Sequence, residues 1–119
     1  MSQHILIVED EEQVRSCLKE VLSDAGFDIT EVGDGDRAIK MLDSPPRFDL
    51  LLTDISMPGV ADGNAVAAKA KQIYPGIPVV YASGRPDSLT NRVGRRDAFI
   101  SKPYSLNDVV DLVRRLVSA

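Results

Sequence analysis

The 119-residue chain is long enough to bury the core of one domain, and its composition narrows the classes of protein to consider. The formal net charge is −4 and the pI about 4.9, which argues against a nucleic-acid-binding surface. One cysteine, Cys17, excludes an internal disulfide, and no apolar stretch approaches the ~18–20 residues needed to span a bilayer. Because the first strand begins almost at the N-terminus, leaving no room for a signal peptide, we expect a cytoplasmic protein that binds neither membrane nor nucleic acid.

Strands and helices alternate through the first half of the chain. Short apolar runs bounded by charged or turn residues predict strands at residues 5–9, 29–32 and 49–53. Apolar residues spaced by three or four predict helices at residues 12–25 and 36–43. A strand followed closely by a helix is the unit from which parallel sheets are built.

The second half continues the same alternation, with one weak segment. The pattern predicts a helix at residues 64–73, a strand at 77–82, a strand at 98–101 and a last helix that starts at Ser105. Between the last two strands, residues 84–96 contain two glycines, one proline and few apolar positions, so we expect the helix there to be short, distorted or partly disordered.

This order of elements predicts an α/β fold with a parallel sheet and helices on both faces. No linker, repeat or low-complexity segment divides the chain. We therefore expect residues 1–119 to form a single domain, with no output domain of its own.

Acidic residues follow two of the apolar runs. Glu9, Asp10 and Glu11 come directly after the first apolar run, at residues 5–8, and Asp54 comes directly after the third predicted strand. The carboxyl ends of neighbouring parallel strands meet at one edge of a sheet, where ligands bind in this class of fold. Carboxylates within ~4 Å repel by roughly 1–4 kcal/mol per pair, so a cation is expected among them. Because the ligands on offer are oxygens, the pattern favours a hard divalent ion.

Five separated signals, each at or just beyond a strand's carboxyl end, resemble those of one family. In chain order they are Glu9-Asp10, Asp54, Met57-Pro58-Gly59, Ser83 and Lys102-Pro103. Together they resemble the receiver domain of the response regulators of two-component signalling, over essentially the whole chain. The resemblance implies a single flavodoxin-like (βα)5 domain with a five-stranded parallel sheet of order 2-1-3-4-5 and helices on both faces.

The resemblance also implies a role for each acidic residue. Asp54 would be the phosphoacceptor that takes a phosphoryl group from a phosphohistidine. Asp10, Asp54 and the main-chain carbonyl of Ser56 would bind Mg²⁺, and Glu9 would act through a metal-bound water. Phosphoryl transfer mainly needs positioning and charge neutralisation, which this set of groups would supply.

Four later residues complete the implied site. Ser83 would donate a hydrogen bond to the phosphoryl group, and Lys102 would pair with it. Pro103 would follow Lys102 through a peptide bond that is commonly cis in the family. Phe99 would act as a steric switch that reshapes the face formed by the fourth predicted helix, the fifth strand and the last helix.

The loop that contains Pro58 and Gly59 runs one residue longer than the common form and resembles receivers associated with hybrid histidine kinases. The implied partners are a histidine kinase or histidine phosphotransfer protein and a downstream protein target, for a monomer or weak dimer. A phosphate-sink or relay role stays open, and the alternative is a receiver-like interaction module that works without phosphate. A phosphatase of the haloacid dehalogenase type is disfavoured, because it would need an Asp-x-Asp pair after the first strand.

Overall fold

Five parallel strands form one sheet through the centre of the protein. The computed structural model describes residues 3–44, 47–55, 62–83 and 97–118. Its strands are β1 His4–Val8, β2 Asp28–Val32, β3 Leu50–Asp54, β4 Val79–Ser83 and β5 Ala98–Ser101. They are arranged in the order β2-β1-β3-β4-β5, and each neighbouring pair is parallel.

Four helices lie in the described part of the chain. They are α1 Glu12–Asp24, α2 Gly35–Leu42, α3 Gly63–Ile73 and α4 Leu106–Ser118. Two of them begin at an aspartate cap: Asp34 accepts a hydrogen bond from the main-chain amide of Arg37, and Asp62 accepts one from that of Ala65. Such caps satisfy amide groups that the first turn of a helix leaves unpaired.

The helices cover both faces of the sheet, because successive side chains along each strand point to opposite faces. On one face, residues of β1, β3 and β4 pack with α2 and α3: Leu6, Val8, Leu51, Tyr81, Ala38, Leu42, Val66 and Ala70. On the other face, residues of the same strands pack with α1 and α4: Ile5, Ile7, Leu50, Leu52, Val80, Leu18, Leu22, Val109 and Val113. All these residues are buried, which explains why the central strands read as nearly continuous apolar runs.

The predicted fold is confirmed in its sheet order and in its two helical layers. The strand bounds shift slightly: β4 begins at Val79 rather than at residue 77, since the amide of Ile77 is used in a turn with the carbonyl of Tyr74 and Pro78 has no amide to donate. The helix predicted at 84–96 lies outside the described residues. None of the described helices is long and apolar enough to cross a membrane.

Candidate functional site

The carboxyl edge of the sheet brings the predicted site residues together. Asp54 and Ser83 are the last residues of β3 and β4, rather than the residues that follow them, and Glu9 comes directly after β1. Lys102 follows β5, and its main-chain amide donates to the carbonyl of Ser83 at 2.9 Å. The parallel register therefore places residues from four strands at one edge.

Three carboxylates form a compact cluster at this edge. Glu9, Asp10 and Asp54 each offer one oxygen, and these oxygens lie within 4.8 Å of one another. Glu9 is 2% exposed and Asp54 is 6% exposed, whereas Asp10 is exposed to solvent. One oxygen of Glu9, Oε2, is buried and has no hydrogen-bond partner among the described residues. An all-oxygen cluster with an unsatisfied buried oxygen fits a hard divalent cation such as Mg²⁺.

Lys102 links two of these carboxylates. Its Nζ lies 2.8 Å from Oε1 of Glu9 and 2.9 Å from Oδ2 of Asp54, so one ammonium group donates to both. Burial lowers the pKa of Lys102, but the hydrogen bonds to Glu9 and Asp54 outweigh it and raise that pKa above its ordinary value. The ammonium therefore stays charged and stabilises the two buried carboxylates.

Glu9 is the carboxylate whose proton affinity the site changes most clearly. Burial raises the pKa of Glu9 from 4.5 to about 7; the hydrogen bond from Lys102 opposes this rise and the nearby Asp54 adds to it. A single ammonium is therefore insufficient to keep Glu9 as acidic as a solvated glutamate.

This shift predicts how the stability of the metal-free protein depends on pH. Because the folded-state pKa of Glu9 lies above the unfolded value, the folded state holds an extra proton between pH 4.5 and about 7. The stabilising contribution is thus fully present below pH 4.5 and is lost as the pH rises through about 7. We expect wild type to lose about 3 kcal/mol of unfolding free energy over this range relative to Glu9→Gln, whose side chain does not titrate. Urea titrations in a chelator would measure the difference, and a constant difference would contradict the prediction.

The remaining predicted residues have clear positions. Ser83 is 5% exposed and lies at the end of the strand next to β3. Phe99 pairs in register with Tyr81 and packs, half-buried, against the core shared with α2 and α3. The peptide bond between Lys102 and Pro103 is cis, as the resemblance implied. The positions of Ser56, Pro58 and Gly59 lie outside the described residues, so their predicted roles stay predictions.

Three residues near the site carried no clear signal in the sequence. Tyr104 is half-buried two residues after Lys102, and burial together with the charge of Glu9 raises its pKa to about 12. Arg15, on α1, donates from Nη1 to the main-chain carbonyl of Glu9 at 2.9 Å. Gly63 lies at the start of α3 against the backbone of Asp54. Gly63 comes directly before the helix predicted at residues 64–73, and its backbone contact could not be read from local pattern.

The fold and the site together define a class: a parallel α/β receiver with an acidic cluster and a lysine at the carboxyl edge of its sheet. A sequence model described as "Response regulator receiver domain" matches residues 5–114. The chain belongs to this family of two-component signalling domains.

Individual relatives agree with this assignment. The chain is 33% identical over 123 residues to the response regulator receiver protein CpdR of Brucella abortus, covering 98% of each protein. It is similar in structure to a response regulator receiver protein from Sinorhizobium medicae, with a TM-score of 0.93 and 30% identity over 99% of this chain and 96% of that one. It also resembles the receiver domain of the hybrid histidine kinase CckA, with a TM-score of 0.79 and 30% identity over 96% of this chain and 98% of that one. The chain spans about half the length of other curated relatives, such as the response regulator MprA of Mycobacterium ulcerans (51%).

Proposed function

We propose that this protein accepts a phosphoryl group on Asp54 from a phosphohistidine of a histidine kinase or histidine phosphotransfer protein. The observation that carries the proposal is the Lys102 ammonium, which lies within 3 Å of carboxylate oxygens of both Glu9 and Asp54 at the carboxyl edge of the sheet. A receiver that had lost phosphoryl transfer would have no need to hold two buried carboxylates and a lysine in contact.

In the proposed step, a carboxylate oxygen of Asp54 attacks phosphorus while the bond from phosphorus to the donor's ring nitrogen breaks. The electron pair of that bond leaves with the imidazole, and the product is an aspartyl phosphate. The new group adds about −1.5 to −2 charge, which Lys102 would neutralise by turning its ammonium from the carboxylates to a phosphoryl oxygen. The hydroxyl of Ser83, at the end of β4, would donate to another phosphoryl oxygen.

The proposed reaction uses a divalent cation bound in the acidic cluster. Asp10 and Asp54 would hold Mg²⁺, with the main-chain carbonyl of Ser56 as a further ligand and Glu9 acting through a water. The cation, when bound, would neutralise charge on the transferring group. Oε2 of Glu9, which has no hydrogen-bond partner in the described part of the chain, supports this assignment, because a buried carboxylate oxygen without a donor is otherwise unfavourable.

The surface beside the site suits a protein as the phosphodonor. A largely apolar groove of about 560 Å³ lies between α1 and the start of α4, and Lys102 is one of its lining residues. Its apolar lining comes from Val14, Cys17, Pro103 and Leu106. An exposed apolar surface beside charged groups is typical of sites that bind protein partners.

The response to phosphorylation is proposed to pass through Phe99. Movement of Ser83 towards the phosphoryl group would vacate space near β4, and Phe99, half-buried on the neighbouring strand, would rotate into it. This would change the face formed by β5, α4 and the segment at 84–96, and so the affinity for a downstream protein. We further propose that the protein is a monomer or weak dimer, that it acts without nucleic acid and that it is cytoplasmic.

Phosphorylation by a small donor tests the proposal. We expect a phosphate-sized mass gain when the protein is incubated with acetyl phosphate and Mg²⁺, and no gain in a chelator, since charge neutralisation is needed at the acidic cluster. Intact-mass spectrometry measures the gain. Asp54→Asn should abolish it, whereas the matched variant Asp49→Asn should keep it, because Asp49 is exposed and comes directly before β3, at the end opposite Asp54.

Two negative outcomes have different meanings. A gain that persists in Asp54→Asn would move the acceptor to another residue. No gain in wild type, together with no beryllofluoride binding in the presence of Mg²⁺, would favour the alternative, an interaction module that works without phosphate.

A further inference from the structure

Arg15 contacts the main chain, and not the carboxylates, of the acidic cluster. It lies on α1, and its side chain is only 19% exposed although arginine is usually a surface residue. Its Nη1 donates to the main-chain carbonyl of Glu9 at 2.9 Å, six residues earlier in the chain. The guanidinium therefore bonds to the loop that carries the cluster and not to its carboxylates.

The guanidinium is itself held in place by β2 and the turn after it. Its Nε lies 3.6 Å from Oε1 of Glu31, which is partly buried, and the other oxygen of Glu31 is buried without a hydrogen-bond partner among the described residues. On the same side, Gly33 leaves room for Arg15: a Cβ added there would lie 3.0 Å from Nη1. The ion pair with Glu31 restricts where the guanidinium can sit, and the missing Cβ of Gly33 allows it to sit there.

These contacts fix the peptide unit that joins Glu9 to Asp10. The amide of Glu9 donates to the carbonyl of Val32 at 3.1 Å, and its carbonyl accepts from Arg15, so the backbone of Glu9 is bound on both sides. The direction in which the Asp10 side chain leaves the backbone depends on that peptide plane. Groups that orient ligands without touching the metal commonly matter for metal affinity.

We propose that Arg15 is a positioning residue for the cation site: it holds the Glu9–Asp10 peptide so that both carboxylates face the same point, while Glu31 holds its guanidinium and Gly33 leaves space for it. The inference rests on the proposed function, because it requires a divalent cation in the acidic cluster. The positive charge of Arg15 has the opposite effect on cation binding from its geometric role. A positive charge near the cluster repels a cation, so Arg15 favours binding through geometry and opposes it through charge.

Mg²⁺ titration of the whole chain by calorimetry separates the two effects. Arg15→Gln should weaken Mg²⁺ binding about tenfold, as losses of comparable orienting groups do. Arg15→Lys keeps the charge but lacks the planar fork that reaches both Glu9 and Glu31, and it should also weaken binding, by about fivefold. Arg37→Lys, which changes an exposed arginine on α2, is the matched control and should bind as wild type does.

Gly33→Ala provides a test that keeps Arg15 in the protein. The added methyl group displaces the flexible end of the Arg15 side chain, so Mg²⁺ binding should weaken about threefold while the metal-free melting temperature stays near that of wild type. This variant decides the question even if the Arg15 variants fail to fold.

Each outcome supports or overturns the inference. Tighter Mg²⁺ binding in Arg15→Gln, with no change in Arg15→Lys and Gly33→Ala, would show that Arg15 acts by charge alone and would overturn it. Weaker binding in Gly33→Ala at unchanged stability would support it, since a general structural role would lower stability first. If wild type does not bind Mg²⁺, the proposed cation site itself is overturned. If wild type binds Mg²⁺ and the Arg15 variants bind it equally well, only the proposed role of Arg15 is overturned.

Discussion

The Lys102→Met protein is expected to be less stable than wild type when metal-free, by about 3 kcal/mol at pH 8, and to bind Mg²⁺ more tightly. The substitution removes the ammonium that lies 2.8 Å from Glu9 and 2.9 Å from Asp54, and it leaves two buried carboxylates without a counter-charge from the residues that the structure describes. Breaking a buried ion pair by removing one partner costs about 3–5 kcal/mol, and the partial exposure of Lys102 places the effect at the lower end.

The affinity of the site for Mg²⁺ should increase when the positive charge of Lys102 is removed. A unit charge within ~4 Å is worth about 1–4 kcal/mol at the effective dielectric constants of a protein surface, so removing Lys102 should strengthen Mg²⁺ binding about tenfold or more. Urea unfolding with and without Mg²⁺ measures both effects in one experiment. The instability should shrink at pH 5, because Glu9, whose pKa is already about 7, becomes protonated.

Lys40→Met is the matched control, since Lys40 is exposed on α2 and the same atoms are changed there. Its stability and Mg²⁺ affinity should match those of wild type within about 0.5 kcal/mol. Unchanged stability of metal-free Lys102→Met at pH 8 would show that the two carboxylates are not paired with Lys102 in solution.

Gly63→Ala is expected to destabilise the protein by about 3 kcal/mol and to slow phosphorylation at Asp54. A Cβ at this position would meet backbone, not a flexible side chain: it would lie 2.8 Å from the Cα of Ile55 and closest of all to the main-chain oxygen of Asp54. Backbone cannot move aside without shifting either α3 or the end of β3, and overpacking of this kind costs about 1–3 kcal/mol or more. The amide of Gly63 also donates to the carbonyl of Ile55, which holds the two segments together.

Thermal or urea unfolding measures the loss of stability, and acetyl phosphate labelling measures the loss of rate. Asn64→Ala, one residue further along α3 and only partly buried, is the control and should change stability by no more than about 0.5 kcal/mol. A Gly63→Ala protein as stable as wild type would mean that α3 can move away from Asp54 freely.

Much of the site was predictable because its residues stand where strands end. Glu9 and Asp10 follow one apolar run, and Asp54, Ser83 and Lys102 stand at the ends of others. In a parallel sheet all these ends lie at one edge, so identifying the strands was sufficient to bring the residues together. The order of the strands was a different matter: it came from the resemblance to a family, and the structure confirmed it.

The segment whose structure was hardest to predict has the weakest pattern of apolar residues. Residues 84–96 lie outside the described part of the chain, so the form of that segment, and with it the shape of the proposed switching face, stays a prediction. Phe99 shows the same division: its place beside Tyr81 follows from strand pairing, and its proposed rotation stays a prediction.

Local pattern was sufficient for the strands and helices that the structure describes and for the edge at which the acidic residues gather, because hydrophobic periodicity and strand ends are properties of neighbouring residues. Three features required the tertiary structure: the ammonium of Lys102 shared between Glu9 and Asp54, the contact of Gly63 with the backbone of β3, and the bond from Arg15 to the carbonyl of Glu9. Each depends on distances between segments that are far apart in the chain or separated by a turn. A hydrogen bond or a steric contact is decided within a few tenths of an ångström, and residue type and spacing do not specify distances to that precision.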